Sequence, residues 1–284
     1  MDAITLGRMP PRSGPVQVGL VASLLVAAAA AWAVTGDRMG GMDAGPGTEL
    51  GGLGWFAVVW VTMMAAMMLP SIAPMVLAHA RVRIGAMPAF VAGYLLTWGA
   101  VGILGWALVE GVRSLDLGVL DWDEAGQYVA GGAILAAAIY QLSPLKNASL
   151  HRCRNPRAFV SERWRPGPFG ALRMGTEHGR LCVGSSWALM ATLFALGVMS
   201  VAWMVLVSAL IAAEKLLPRK EVASRGIVVL LALLAVGVAF APEDVPALTI
   251  PGSSAAMEAG DHMGTESLEP ARPMRMEDGT GAMP

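Results

Sequence analysis

Long apolar runs, interrupted by short polar segments, cover most of this 284-residue chain. A helix needs about 20 mostly apolar residues to cross the hydrocarbon core of a bilayer. Runs of this kind lie at 16–35, 55–80, 88–109, 126–143, 181–217 and 226–241. The pattern therefore predicts an all-α, polytopic integral membrane bundle.

The run 181–217 is too long for one straight span. At a rise of 1.5 Å per residue it would extend about 55 Å, nearly twice the hydrocarbon thickness. The segment Gly197–Ser200 offers the one natural break. We therefore predict a tight hairpin of two spans, 181–197 and 200–217, and about seven transmembrane helices in total.

The placement of charge orients this bundle. Basic residues concentrate in the segment 144–180, which the apolar pattern leaves as a loop, whereas 110–125 is acidic. Cytoplasmic loops carry an excess of Lys and Arg, so 144–180 and the basic N-terminus are predicted to be cytoplasmic. The implied location is a bacterial inner membrane, with residues 242–284 on the periplasmic side.

Residues 1–241 form the predicted transmembrane domain, and 242–284 form a tail rich in Met, Gly and Pro. The tail has no apolar period, so it is predicted to be disordered. Only 14% of the chain is charged, against about 25% in soluble domains. A net charge of −1 gives no reason to expect nucleic-acid binding. No nucleophile–base motif or phosphate-binding loop is present, which argues against an enzyme.

Methionine is abundant, with 19 residues, and it clusters in the second apolar run. The candidate metal ligands there are Met63, Met64, Met67, Met68 and Met75. Thioether sulfur is a soft ligand that suits Cu(I). Pro70 and Pro74 predict a kink at the same place, because proline breaks the helical hydrogen-bond ladder. The alternative is a seam of Met and Ala that only packs one helix against another.

A second group of candidates lies where the basic segment meets the membrane. His178 and Cys182 are four residues apart, so they share a face if this stretch is helical. An imidazole and a thiolate make a soft-metal pair, and Cys153 is a further thiol candidate. A buried cysteine that acts only as a small hydrophobe is the alternative.

Three more methionines, Met190, Met199 and Met204, follow along the predicted hairpin and are also candidate ligands. Glu214 and Lys215 end its second arm. We expect this ionisable pair to lie near the inner interface, where both side chains can reach water. A functional role for the pair is the alternative.

These segments resemble a bacterial family, the DUF2182 proteins, which are described as predicted metal-binding integral membrane proteins and labelled copper chaperones. The matching pieces are 63–70 with Pro74, 140–146, 153–156, 178–190, 197–204 and 214–215. Together they cover roughly 55–217. The resemblance implies a helical membrane protein that handles copper.

This chain departs from the family pattern at three thiol positions. Ser185 and Ser186 stand where the family has a pair of cysteines, and Ser149 stands where it has another. Only Cys153 and Cys182 remain, and serine is a poor ligand for Cu(I). Either the metal role is weakened in this chain, or the methionine cluster carries it without the additional thiols.

The expected function is binding, delivery or translocation of Cu(I) through Met and Cys side chains. Met and His in the outer segments would capture the ion, the kinked span would pass it on, and Cys153, His178 and Cys182 would hold it at the inner face. The expected partners are membrane lipids and a copper-dependent or copper-delivering membrane or periplasmic protein. The alternatives are a non-catalytic accessory subunit of a membrane complex and, third, a small-solute transporter, which would require an internal repeat or paired broken helices.

Overall fold

The computed structural model describes residues 14–39, 51–82, 84–115, 125–218, 220–251, 253 and 256–257, and contains helices and no strands among them. The helices are α1 (Gly14–Met39), α2 (Leu53–Met68), α3 (Ala73–Val82), α4 (Met87–Arg113), α5 (Gln127–Gln141), α6 (Pro144–Cys153), α7 (Pro156–Arg163), α8 (Gly167–Leu196), α9 (Val201–Leu216) and α10 (Lys220–Phe240). Short 3₁₀ turns occupy Pro70–Ile72, Ile84–Ala86 and Pro242–Asp244. The prediction of an all-α chain is confirmed for the described residues.

Four to six of these segments are long and apolar enough to cross a bilayer. Four single helices qualify, namely α1, α4, α8 and α10. Two bent pairs qualify as well, α2 with α3 and α5 with α6, with bends of 49° and 65°. The predicted seventh span is not confirmed, because the 16 residues of α9 extend only about 24 Å.

The predicted kink in the methionine-rich span is confirmed. The helix α2 ends at Met68, and the chain continues as the turn Pro70–Ile72 before α3 begins. Proline has no N–H to donate and its ring collides with the preceding turn, so a continuous α-helix cannot pass through Pro70. The bend of 49° between the two halves follows from this interruption.

The predicted hairpin is also present. Helix α8 ends at Leu196, and Gly197 has φ +109°, a conformation that favours glycine. Helix α9 then runs back along α8, since Lys215 near its end contacts Cys182, about equally far from the turn on the other arm. The hairpin therefore places the part of α8 around Cys182 beside the end of α9.

The prediction of a loop over 144–180 is wrong. This segment forms α6, α7 and the first half of α8. Helix α6 begins after Ser143, whose Oγ accepts from the backbone N–H of Lys146, and α7 begins after Asn155, whose Oδ1 accepts from Ala158. These capped starts, each followed by proline, are strong helix signals that outweigh the high charge of the segment.

Helices α4 and α8 make the most extensive helix–helix contact in the described structure, and two glycines allow it. A Cβ atom at Gly93 would overlap the carbonyl oxygen of Leu172, and one at Gly175 would overlap the carbonyl oxygen of Phe90. Small residues at a crossing let two backbones touch, as is common in membrane bundles. The contact brings the neighbouring side chains of α4 and α8 together in the interior.

The outer surface of the bundle is largely aliphatic. Helices α1, α4 and α10 expose large side chains such as Val26, Leu104 and Leu233, as expected of faces that meet lipid tails. The N-terminal arginines and most of 242–284 lie outside the described residues, so membrane orientation and a disordered tail stay predictions. The described part of that tail begins with the turn Pro242–Asp244, and Val245 is buried.

Candidate metal centre

Three of the predicted ligands line one small cavity, whose rim includes exposed Pro74 and half-buried Cys153. The cavity has a volume of about 30 Å³ and is lined by Ser71, Pro74, Met75, Cys153, Arg154, Pro156, His178 and Lys215. The Sγ atom of Cys153 lies 3.9 Å from Nε2 of His178. The cavity thus brings together a thiol, an imidazole and a thioether from α6, α8 and α3.

Cys182 lies beside this cavity and is fully buried. Its Sγ accepts a hydrogen bond from Nζ of Lys215 at 2.8 Å and lies 3.0 Å from the hydroxyl oxygen of Tyr94. It also interacts electrostatically with Cys153. Both cysteines are free thiols. The second sulfur is therefore held in a polar, water-excluded environment next to the first.

The imidazole of His178 is held by aromatic rings on several sides. Its ring centroid lies 6.1 Å from that of Phe90, 5.9 Å from Tyr94 and 5.5 Å from Phe159, which packs edge-on. Within the described structure Nδ1 of His178 is buried without a hydrogen-bond partner. A buried polar atom without a partner is uncommon in a folded protein, and a bound ion or water is one explanation for it.

The donor set around the cavity is soft. The described residues contain no group of three or more His, Cys, Asp and Glu side chains placed to hold a metal ion. The two thiols, one imidazole and the thioether of Met75 are nevertheless the ligand types that favour Cu(I) over hard cations such as Mg²⁺. Chemically, the arrangement suits a soft, weakly hydrated ion.

The remaining predicted methionines are buried in the bundle and do not line this cavity. Met63, Met64, Met67 and Met68 lie in the last turns of α2, directly before the bend. Met190 lies in α8, Met199 in the hairpin turn and Met204 in α9, all buried.

One contact connects these two groups of methionines. Ser208 of α9 donates to the carbonyl oxygen of Met67 at 3.3 Å, and Met204 is one helical turn before Ser208. The face of α9 that carries Met204 therefore packs towards α2. The thioethers of α2 are inside the bundle and not among the lipid-facing side chains.

The expectation that Glu214 and Lys215 reach water at the interface is wrong. Their relative exposures are 2% and 8%. Glu214 forms an ion pair with the fully buried Lys146 and accepts from Ser224 Oγ at 3.0 Å. Glu214 is covered because Lys146 of α6 and Ser224 of α10 contact it at the end of α9.

Tyr94, which contacts Cys182, was missed in the sequence, and Lys215 was considered there only as part of an ionisable pair for which a functional role was the alternative. The available signal for Lys215 was an ionisable residue at the end of an apolar run, which marks a functional candidate in membrane helices. Tyr94 gave no comparable signal, because a single tyrosine in an apolar helix is ordinary.

His79 was also missed. It is fully buried in α3, one turn after Met75, and neither ring nitrogen has a hydrogen-bond partner within the described residues. Its ring lies between Phe90 and Trp164, with centroid distances of 5.1 and 5.3 Å. The sequence contains no signal for His79, because a single histidine among the apolar residues of a helix does not by itself indicate a functional site.

The serines at the three departures from the family pattern lie close to Cys182. Ser185 donates to the carbonyl oxygen of Cys182 at 2.9 Å and its Oγ lies 3.3 Å from Oγ of Ser186. Ser149 of α6 packs against Gly184, where an added Cβ would lie 2.8 Å from its hydroxyl. The positions at which the resemblance expects additional thiols therefore lie together, beside Cys182, one of the two thiols that this chain retains.

A polar region borders the centre on the side of α7. Glu177, next to His178 in α8, pairs with Arg163, Arg165 and Arg173 at 3.1, 3.5 and 3.4 Å. A polar cavity of about 620 Å³ opens here, and its lining includes Phe159, whose ring packs on His178. The ring of Phe159 thus separates His178 from a large cavity that is lined by charged residues.

Residues 57–238 match the family model PpoB2, which is described as copper chaperone. The match covers more than half of the chain and includes all the predicted metal ligands, from Met63 to Met204. No curated protein and no solved structure matches the chain.

Proposed function

This chain belongs to the PpoB2 family of copper chaperones, and on that basis we propose that it binds Cu(I) as cargo between Cys153, His178 and Met75, with Cys182 as a further donor. The observation that carries the proposal is that the thiol of Cys153, the buried imidazole of His178 and the thioether of Met75 line one cavity, with the thiol of Cys182 beside it. Thiolates bind Cu(I) strongly, and imidazole and thioether groups complete a soft site.

Binding at this centre exchanges a proton for the ion. A cysteine binds a metal as its thiolate, so each thiol that becomes a ligand releases its proton. His178 binds through a neutral ring nitrogen, and the aromatic rings around it fix the orientation of the imidazole. The ion is therefore held by side chains whose positions are set by the packing of α3, α6 and α8.

In this proposal the methionines supply positions along the bundle that bind Cu(I) more weakly than the thiols. We assign Met63, Met64, Met67 and Met68 to passage of the ion towards Met75 across the bend, and Met190, Met199 and Met204 to the facing hairpin. Thioethers are neutral ligands, so an ion that they hold is released more readily than one held by thiolates. We propose that the chain acts without catalysis in a bacterial inner membrane. It would exchange copper with a membrane or periplasmic partner.

The thiol pair is tested by replacing both cysteines. The variant Cys153→Ser/Cys182→Ser is expected to lose nearly all tightly bound Cu(I), because serine keeps the size of the side chain but is a hard, poor ligand for this ion. The measurement is the copper-to-protein ratio after anaerobic loading of detergent-purified protein and desalting. Ser185→Ala, a buried change next to Cys182, is the matched control and keeps the wild-type ratio. Copper retained at the wild-type level by the cysteine-free protein contradicts the proposal.

The methionine cluster is tested with leucines. Leucine fills nearly the same volume as methionine, so Met64→Leu/Met67→Leu/Met68→Leu removes three sulfurs with little loss of packing. After purification in the presence of copper, this variant is expected to contain clearly less copper than wild type. Met87→Leu, another buried methionine that is not a candidate ligand, controls for the change in the core. Equal copper in the triple variant and wild type rules out a role for these thioethers.

A further inference from the structure

The centre contains a buried cation in contact with sulfur. Nζ of Lys215 donates to Cys182 Sγ at 2.8 Å, and its charge also interacts with Cys153. A lysine ammonium has three donors and no acceptor, so the sulfur is the acceptor in this contact. Lys215 therefore stands beside the sulfurs that would hold the cargo.

The other charged groups around the centre do not fully neutralise Lys215, although Glu214 attracts it. Lys146 already pairs with Glu214, and Arg154, which lines the cavity, donates to the backbone carbonyls of Glu214 and Leu217. The single carboxylate in this cluster of the described structure faces three cations. The net charge of these four side chains is therefore positive. Negative charge on the cysteine sulfurs would balance it.

A monovalent ion and a divalent ion leave different net charges at this centre. Cu(I) bound by two thiolates carries a net charge of −1, which the ammonium of Lys215 compensates. A divalent ion bound by the same thiolates is neutral and leaves the buried ammonium without a counter-charge. The repulsion between ammonium and metal also doubles with the charge of the metal, and burial screens it only weakly.

We propose that Lys215 is a specificity-determining residue that makes this centre select a monovalent soft cation over divalent ions. The inference rests on the proposed copper site and adds a role for a residue that is not itself a ligand. It requires no change in the protonation of Lys215, only the presence of its charge beside the sulfurs.

The test compares metals of different charge in three proteins. Affinities of wild type, Lys215→Met and Lys215→Arg are measured for Cu(I) and Ag(I), and for Zn(II) and Cd(II), by competition with chelators of known affinity in anaerobic detergent solution. In Lys215→Met the affinity for the divalent ions, relative to the monovalent ions, is expected to rise by about tenfold or more. Lys215→Arg keeps the charge and is expected to retain the wild-type ratio.

Each outcome decides one point. A ratio unchanged in Lys215→Met, or altered equally in Lys215→Arg, overturns the role of charge. If the methionine variant does not fold, Lys215→Gln replaces it, because glutamine is neutral and still donates a hydrogen bond to sulfur. Failure of wild type to bind either monovalent ion refutes the copper site itself, which is a different result from unchanged selectivity.

Discussion

Gly175→Ala is expected to destabilise the bundle severely, by more than about 3 kcal/mol. The new Cβ would overlap the carbonyl oxygen of Phe90 and would lie 2.9 Å from its carbonyl carbon and 3.0 Å from the backbone nitrogen of Tyr94. All three atoms belong to the backbone of α4, so no side-chain rotation relieves the overlap. The two helices must separate, and their contact is the most extensive one described.

The measurement is the yield of monodisperse protein in detergent and its thermal unfolding followed by circular dichroism. Gly93→Ala is expected to behave in the same way, since its Cβ would overlap Leu172 from the opposite side. Gly111→Ala, also in α4, is the control: nothing lies within 4 Å of an added Cβ there, so the change is tolerated. An unfolding temperature for Gly175→Ala as high as that of the control would show that the two helices are not in backbone contact.

Lys146→Met is the second change with a large expected effect. It removes the ion-pair partner of the buried Glu214 carboxylate and leaves Ser224 as its side-chain hydrogen-bond partner among the described residues, and breaking a buried ion pair in this way costs about 3–5 kcal/mol. The double variant Lys146→Met/Glu214→Met is expected to recover part of this loss, because it removes both charges. Thermal unfolding of the single and double variants in one detergent measures the difference.

An exposed ion pair provides the matched comparison. Arg163, whose side chain is 51% exposed, pairs with Glu177, and Arg163→Met is expected to cost less than about 1 kcal/mol. If Lys146→Met proves as mild as Arg163→Met, water or a neighbouring cation compensates Glu214 in the absence of Lys146. A double variant less stable than the single variant would likewise contradict the explanation by an unpaired charge.

The backbone features that depend on local sequence were predictable. The hairpin followed from a run too long to be one span together with Gly197, and the kink followed from Pro70. The prediction of a loop over 144–180 was wrong because the high charge of the segment was given more weight than the helix caps at Ser143 and Asn155. The number and position of charged residues indicate on which side of the membrane a segment lies, but not whether the segment is helical.

The centre was predictable only in part. The spacing of His178 and Cys182 was enough to place them on one face of a helix. Bringing Cys153 and Met75 to that face depends on how α3 and α6 pack, which no local pattern contains. The burial of Lys215 was likewise hidden, because its partner is a sulfur 33 residues away and not a carboxylate.

The size of the small cavity has a consequence for how an ion reaches it. A volume of about 30 Å³ holds a bare ion or a single water molecule, and it is too small for an ion that keeps its hydration shell. Entry from bulk water would therefore require the ion to lose most of its hydration shell. For the proposed Cu(I) cargo, a carrier protein that exchanges one ligand at a time would avoid this barrier by direct hand-over.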